Sequence, residues 1–170
     1  MMRLAEWWGI GGVCLLLGCS VWRMSHSCFE ALSAELAWYH WFAATVNVGF
    51  MAYYEGYKGF QLAFAPRVAA RARYLAAKPN LVRSLLAPLF VMGYFHATRR
   101  RLLVTYSLTA GIIVLIVIFR QLPQPWHGLL DAGVLVGLSW GTVATMKCYI
   151  RIVGGGPVPW RAETPDEIGD

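Results

Sequence analysis

Five runs of the chain pass without a formal charge for at least fifteen residues: 7–22, 36–54, 84–98, 102–119 and 132–146. A helix that crosses the hydrocarbon core of a bilayer takes about 20 mostly apolar residues. None of the runs alternates as barrel strands do, and an unpaired strand edge is not tolerated against lipid, so the predicted elements are helices. Leu4 and Ala5 lengthen the first run, with Arg3 and Glu6 reaching toward the headgroups. The fourth, LLVTYSLTAGIIVLIVIF, is the most apolar, and the fifth reads as helical well beyond its uncharged part. Spans are expected at about 4–22, 36–57, 102–120 and 129–152.

The third run differs. It is short, holds Pro88 and Gly93, and stands between Arg83 and the triplet Arg99, Arg100 and Arg101. Basic groups on both sides place both of its ends on the cytoplasmic face. The expectation is an all-α integral membrane protein: a four-helix transmembrane bundle with a short re-entrant or interfacial segment on the cytoplasmic side. Residues 1–153 would form the transmembrane domain, with 60–101 its interfacial region. Residues 154–170, Gly/Pro-rich and then acidic, read as a flexible cytoplasmic tail, with Trp160 placed to dock on the membrane or a partner.

Composition agrees with the pattern. Of 170 residues, 58% are hydrophobic and only 14% charged, too few to cover a soluble globule of this size. Disorder is excluded by the same excess of apolar surface. The net charge of +6 follows from topology. With both termini cytoplasmic, all of the fifteen Lys and Arg except Arg23 and Arg120 lie inside. Trp22, Trp38, Trp41 and Trp126 then mark the outer boundary, and Trp7 and Trp8 the inner one. This points to a bacterial-type inner membrane or its equivalent and away from nucleic acid, the usual partner of a basic chain. Leu16-Leu17-Gly18-Cys19 resembles a lipoprotein cleavage site, but Glu6 in the would-be positive region argues for a retained anchor.

Polar groups inside spans are the first place to look for chemistry. His40, Asn47 and Tyr54 recur every seven residues and share one face of the second span, as helix–helix glue or as the lining of a transport path. His40 and His127 form a candidate axial pair for haem, with Asp131 placed to orient His127. Met24, His26 and Cys28 are a run of soft ligands, read as outer loop, that would suit copper. The four cysteines contain no CxxC pair; Cys14, Cys19 and Cys148 read as packed thiols, and a Cys19–Cys28 disulfide is conceivable. Gly137-Leu-Ser139-Trp-Gly141 matches the nucleophile-elbow pattern, which has force only at a strand-to-helix turn. It belongs instead to the ridge Gly133, Gly137 and Gly141, which lets helices approach closely.

The segment after the second span opens with Glu55-Gly-Tyr-Lys58-Gly-Phe-Gln61, read as a helix end at headgroup level in which Glu55 and Lys58 pair. A basic amphipathic helix follows from Pro66, with Phe64, Val68, Ala72 and Leu75 on one face. Lys58, Arg67, Arg71, Arg73, Arg99, Arg100 and Arg101 form a belt suited to anionic lipid, or to an anion clamped by Arg67 and Arg71. Paired intramembrane carboxylates and phosphate-binding loops are absent from the sequence. The expected function is a non-catalytic accessory, scaffold or assembly subunit, oligomeric or part of a larger membrane complex through the glycine ridge. The alternatives are a haem- or copper-binding redox protein and a small transporter.

Overall fold

The computed structural model describes residues 2–78, 80–157 and 162–164. The chain is helical, with no strand among the described residues. Its elements are α1 (Met2–Leu32), α2 (Trp38–Met51), a π-helix (Ala52–Phe64), α3 (Ala65–Ala77), α4 (Leu81–Leu85), α5 (Ala87–Met92), α6 (Arg99–Phe119) and α7 (Trp126–Val153). Three helical stretches are long and apolar enough to cross a membrane: Leu4–Leu32, Arg99–Phe119 and Trp126–Val153. They mark an integral membrane protein. The stretch 23–32, read as the start of an outer loop, continues α1 instead. It holds no Gly or Pro, and Cys28 and Ala31 give it apolar contact with α7. The helix therefore extends about 15 Å past the expected span.

α1 and α7 run antiparallel. At one end Gly128 lies on the Ser27 carbonyl and on Ala31; at the other, the Trp7 and Tyr149 rings meet edge-to-face at 5.4 Å. α2 and the π-helix run parallel to α7, with Asn47 against Gly133, Glu55 against Gly137 and Phe60 against Gly141. The expected span at 36–57 is thus not one α-helix. It is 14 residues of α2 that pass without a break into the π-helix and then into α3.

α3 is not a surface-lying helix. Its apolar face is buried as expected, with Val68, Ala72 and Leu75 at most 1% exposed. Its partners, however, are protein: Ala5, Ile10 and Val13 of α1, Ala87, Phe90 and Val91 of α5, and Tyr149 of α7. Glu6, expected near the headgroups, is covered in the same core, with Oε1 3.6 Å from Arg73 Nη1.

The run 84–98 holds the end of α4, all of α5 and then non-helical chain from 93 to 98, and neither helix is long enough to span. Asn80 caps α4, its side chain accepting from the Val82 amide at 3.0 Å. α5 ends at Gly93, whose φ of +90° is the left-handed cap that a side chain would strain. Pro88 fits against Gly12 of α1, where no Cβ has room.

α6 does not join the other helices, so they do not close into a four-helix bundle. Only 6% of its apolar stretch is buried. It is tied at its first turns alone: Tyr94 Oη meets Thr109 Oγ1 at 2.8 Å, and Tyr106 Oη donates to the Tyr94 carbonyl at 2.9 Å. Beyond Ala110 and Gly111 its sequence is branched and apolar. It offers no small-residue groove, and lipid competes for it on equal terms with protein.

Candidate functional site

The π-helix and α7 form a tight seam, and the π geometry decides which side chains enter it. An i→i+5 ladder takes up more residues per turn than the 3.6 of an α-helix. The seven-residue repeat that joins His40 to Asn47 therefore fails at its next step. Asn47 Nδ2 donates to the carbonyls of Leu129 and Leu130 at 3.0 and 3.2 Å. Tyr54 is turned out and 52% exposed, and Glu55 takes the seam position instead. Gly56 lets the Trp140 side chain approach, and Trp140 Nε1 donates to Gln61 Oε1 at 2.8 Å.

The glycine ridge is consumed by this seam. A Cβ on Gly133 would overlap Asn47 and Met51; one on Gly137 would lie 2.7 Å from Glu55 Oε2; one on Gly141 would overlap the Phe60 ring. The ridge packs helices of one chain together, not one copy against another. Ser139 lies within α7, far from the strand-to-helix turn a nucleophile elbow requires.

The seam is deep. Between Gly128 and Tyr149, where α1 and α7 pair, α7 covers about 30 Å, the thickness of bilayer hydrocarbon. Gly137 and Trp140 fall at its middle, and so do Glu55, Lys58 and Gln61. Glu55 and Lys58 do not pair as expected, because the widened turn sends them to different faces. Glu55 Oε2 is buried with no hydrogen-bond partner among the described residues, while Lys58 Nζ lies 5.0 Å from the Tyr53 ring centre and 5.2 Å from that of Tyr54.

The metal candidates are not assembled. No group of three or more His, Cys, Asp or Glu among the described residues is placed to hold a metal ion. His40 is 7% exposed, and its Nδ1 accepts from the Ala37 amide at 3.1 Å, so it closes the first turn of α2. A neutral ring accepting at Nδ1 carries its proton on Nε2 and has no free lone pair for iron. His127 Nε2 lies 3.4 Å from Asp131 Oδ2, one turn on, and the adjoining Trp126 stacks on Tyr39. Met24, His26 and Cys28 sit on α1, where His26 points about 200° around the helix from the other two. His26 Nδ1 is 3.2 Å from the Trp22 carbonyl, and Cys28 Sγ approaches the Gly128 carbonyl at 3.6 Å. Cys19 and Cys28 are about 13 Å apart along one helix, too far for a disulfide, and all four cysteines are free.

The basic belt divides. Arg99 and Arg100 are exposed. Arg67 Nε donates to the Ala63 carbonyl at 2.6 Å, four residues back, at the end of the π-helix. Arg71 is 3% exposed, so it forms no surface clamp with Arg67. Its guanidinium donates to the carbonyls of Phe90, Ala162, Phe95 and His96 at 2.7 to 3.1 Å and stacks 4.3 Å over the Phe90 ring. Arg101 Nε lies 3.7 Å from Glu163 Oε2, and the Thr98 amide donates to the Glu163 carbonyl. Residues 162–164 of the expected flexible tail are therefore strapped to the core; Trp160 lies outside the described residues.

Sequence reasoning missed Arg71 as a hub and Glu55 as a seam residue. The signal for Glu55 was present in Gly137, whose missing side chain makes its room. The Asn47 role is testable: Asn47→Leu should cost about 0.6–2 kcal/mol in denaturant unfolding, by loss of two interhelical bonds.

Fold and seam together define a polytopic α-helical integral membrane protein. Compared with protein-family models, curated proteins and solved structures, the chain matches none.

Proposed function

We propose that the protein is a non-catalytic accessory subunit of a membrane complex. The observation that carries this reading is α6, the most apolar helix of the chain, which leaves its own fold almost bare. In this reading α2 with the π-helix is a fourth crossing, and both termini are cytoplasmic in a bacterial-type inner membrane or its equivalent. α4 and α5 lie in the interfacial plane. Leu81, Val82 and Leu85, 88%, 59% and 75% exposed, dip toward acyl chains. Arg99 and Arg100 meet anionic headgroups, at about 1 kcal/mol each. The partner contact falls on α6, since the glycine ridge is already occupied.

Extraction from native membranes in mild detergent, with mass measured on elution, is the test. The expected particle is far heavier than one 19.0 kDa chain with its detergent. Replacing the exposed positions of α6 from 110 to 118 by leucine should leave thermal unfolding unchanged and release the chain as a monomer. A monomer from unaltered membranes overturns the proposal. A second reading, a small ion or proton carrier, is favoured by the orphaned Glu55 oxygen. An intramembrane carboxyl is a default transport candidate, and loss of flux in Glu55→Gln vesicles with folding intact would support it.

A further inference from the structure

The face of α2 and the π-helix turned away from α7 carries Phe50, Tyr53, Tyr54, Tyr57 and Lys58, all exposed. The rings form a ladder: Phe50 and Tyr54 centres are 4.6 Å apart, Tyr53 and Tyr57 6.1 Å apart and nearly parallel. Lys58 stands between the level of Glu55, against Gly137, and that of Phe60, against Gly141. That is the middle of α7 and, in the proposed topology with the bilayer centred on α7, the middle of the hydrocarbon. Either membrane surface is about 15 Å away, beyond the reach of a lysine side chain; snorkelling serves residues near helix ends. The ammonium is folded back over Tyr53 and Tyr54 rather than extended toward the Arg-rich end.

A charge in hydrocarbon needs an opposite charge or a polar cavity. Among the described residues no carboxylate of this chain reaches Lys58. Glu55 faces α7, Glu6 lies beside Arg73, Glu163 beside Arg101, and Glu30, hydrogen-bonded by Gln124, sits at the far end with Asp131 and with Glu35 of the loop before α2. A second copy docked face to face would set Lys58 against Lys58. We infer that this face docks a transmembrane helix of another protein that carries a carboxylate near its middle, with Lys58 as the pairing cation and the tyrosine ladder as the packing surface. The inference rests on the subunit reading and adds to the α6 contact a second one, on this face, with a partner of stated chemistry. Tyrosines suit such a contact, being broad, stiff and able to donate hydrogen bonds to the same carboxylate.

The test uses the purified full-length protein in phosphatidylcholine vesicles and a synthetic Leu/Ala transmembrane peptide with one central Asp. Matched peptides carry Asn or Leu at that position. Association is read by energy transfer. The Asp peptide is expected to bind about tenfold or more tighter than the Leu peptide. Lys58→Gln should abolish the difference and Lys58→Arg should keep it, with thermal unfolding reporting that each variant folds. If Lys58→Gln does not fold, the Asp, Asn and Leu peptides on the unaltered protein decide. Equal binding of the three peptides overturns the inference. So does Asp preference that survives Lys58→Gln. Loss of the preference when phosphatidylglycerol is added would assign Lys58 to a lipid phosphate and overturn it too. Failure of the subunit reading shows separately, as a monomer extracted from native membranes.

Discussion

Gly128→Leu is expected to part α1 from α7 and to be the most damaging of the glycine substitutions. A Cβ at Gly128 overlaps the Ser27 carbonyl oxygen and the Ala31 methyl. The obstacle is backbone, held in the α1 ladder, so no rotamer change relieves it and the helices themselves must separate. Overpacking of this kind costs about 1–3 kcal/mol for small additions. Leucine exceeds the single methyl of alanine, so Gly128→Ala should fall at the lower end and Gly128→Leu at or above the upper. The glycines can be ranked. Gly133 and Gly141 oppose side chains anchored in the seam, Asn47 by its two bonds to α7 and Phe60 by its edge-to-face contact with Phe64. They come next. Gly137 opposes the far end of the flexible Glu55 side chain and should tolerate alanine best of the four. Gly111 on α6 has nothing within 4 Å, so Gly111→Ala should be neutral or stabilising by up to about 1 kcal/mol, the helix-propensity gain. Denaturant unfolding in one detergent, run across the series, checks the order. Equal costs at Gly128 and Gly111 would refute the packing argument.

Arg71→Ala is the second large effect. One guanidinium serves carbonyls from α5, from the loop before α6 and from residue 162, and so joins three separate stretches of chain at one point. Removal leaves the carbonyls of Phe95, His96 and Ala162 without this donor, at about 1–3 kcal/mol for each that water does not reach, while Phe90 keeps the Gly93 amide. The segments it holds are also strained. His96 and Glu163 adopt φ of 49° and 50° without being glycine, a left-handed conformation costing about 1–2 kcal/mol each. Once the arginine is gone, only the Thr98–Glu163 backbone bond, the Arg101–Glu163 pair and the Phe90–His96 ring contact are left to offset that strain, and both segments should loosen together. The expected result is a loss of about 3–5 kcal/mol, the scale for breaking a buried charged contact. Amide exchange should accelerate at 93–98 and 162–164 while the seam around Gly137 stays protected. Arg71→Lys should recover only part, because an ammonium lacks the planar fork that reaches several carbonyls. Unchanged exchange at 162–164 would show that the strap is held elsewhere.

The sequence by itself determined the membrane class, most span positions, and the apolar face of α3. Each follows from local rules: length against bilayer thickness, and helical periodicity of Val68, Ala72 and Leu75. It also put Gly133, Gly137 and Gly141 on one face of a helix, since four-residue spacing repeats close to one turn. Only the tertiary structure decided what that ridge meets, and that α6 stands apart. Seven-residue arithmetic placed Tyr54 in the seam because it assumed an α-helix throughout. The π-helix runs where the chain packs on α7, and its wider turn exchanges Tyr54 for Glu55. Arg71 looked like a surface charge because its helix is amphipathic. It is buried because its four partners are backbone carbonyls, and no side-chain pattern announces where a backbone carbonyl will be left in need of a donor.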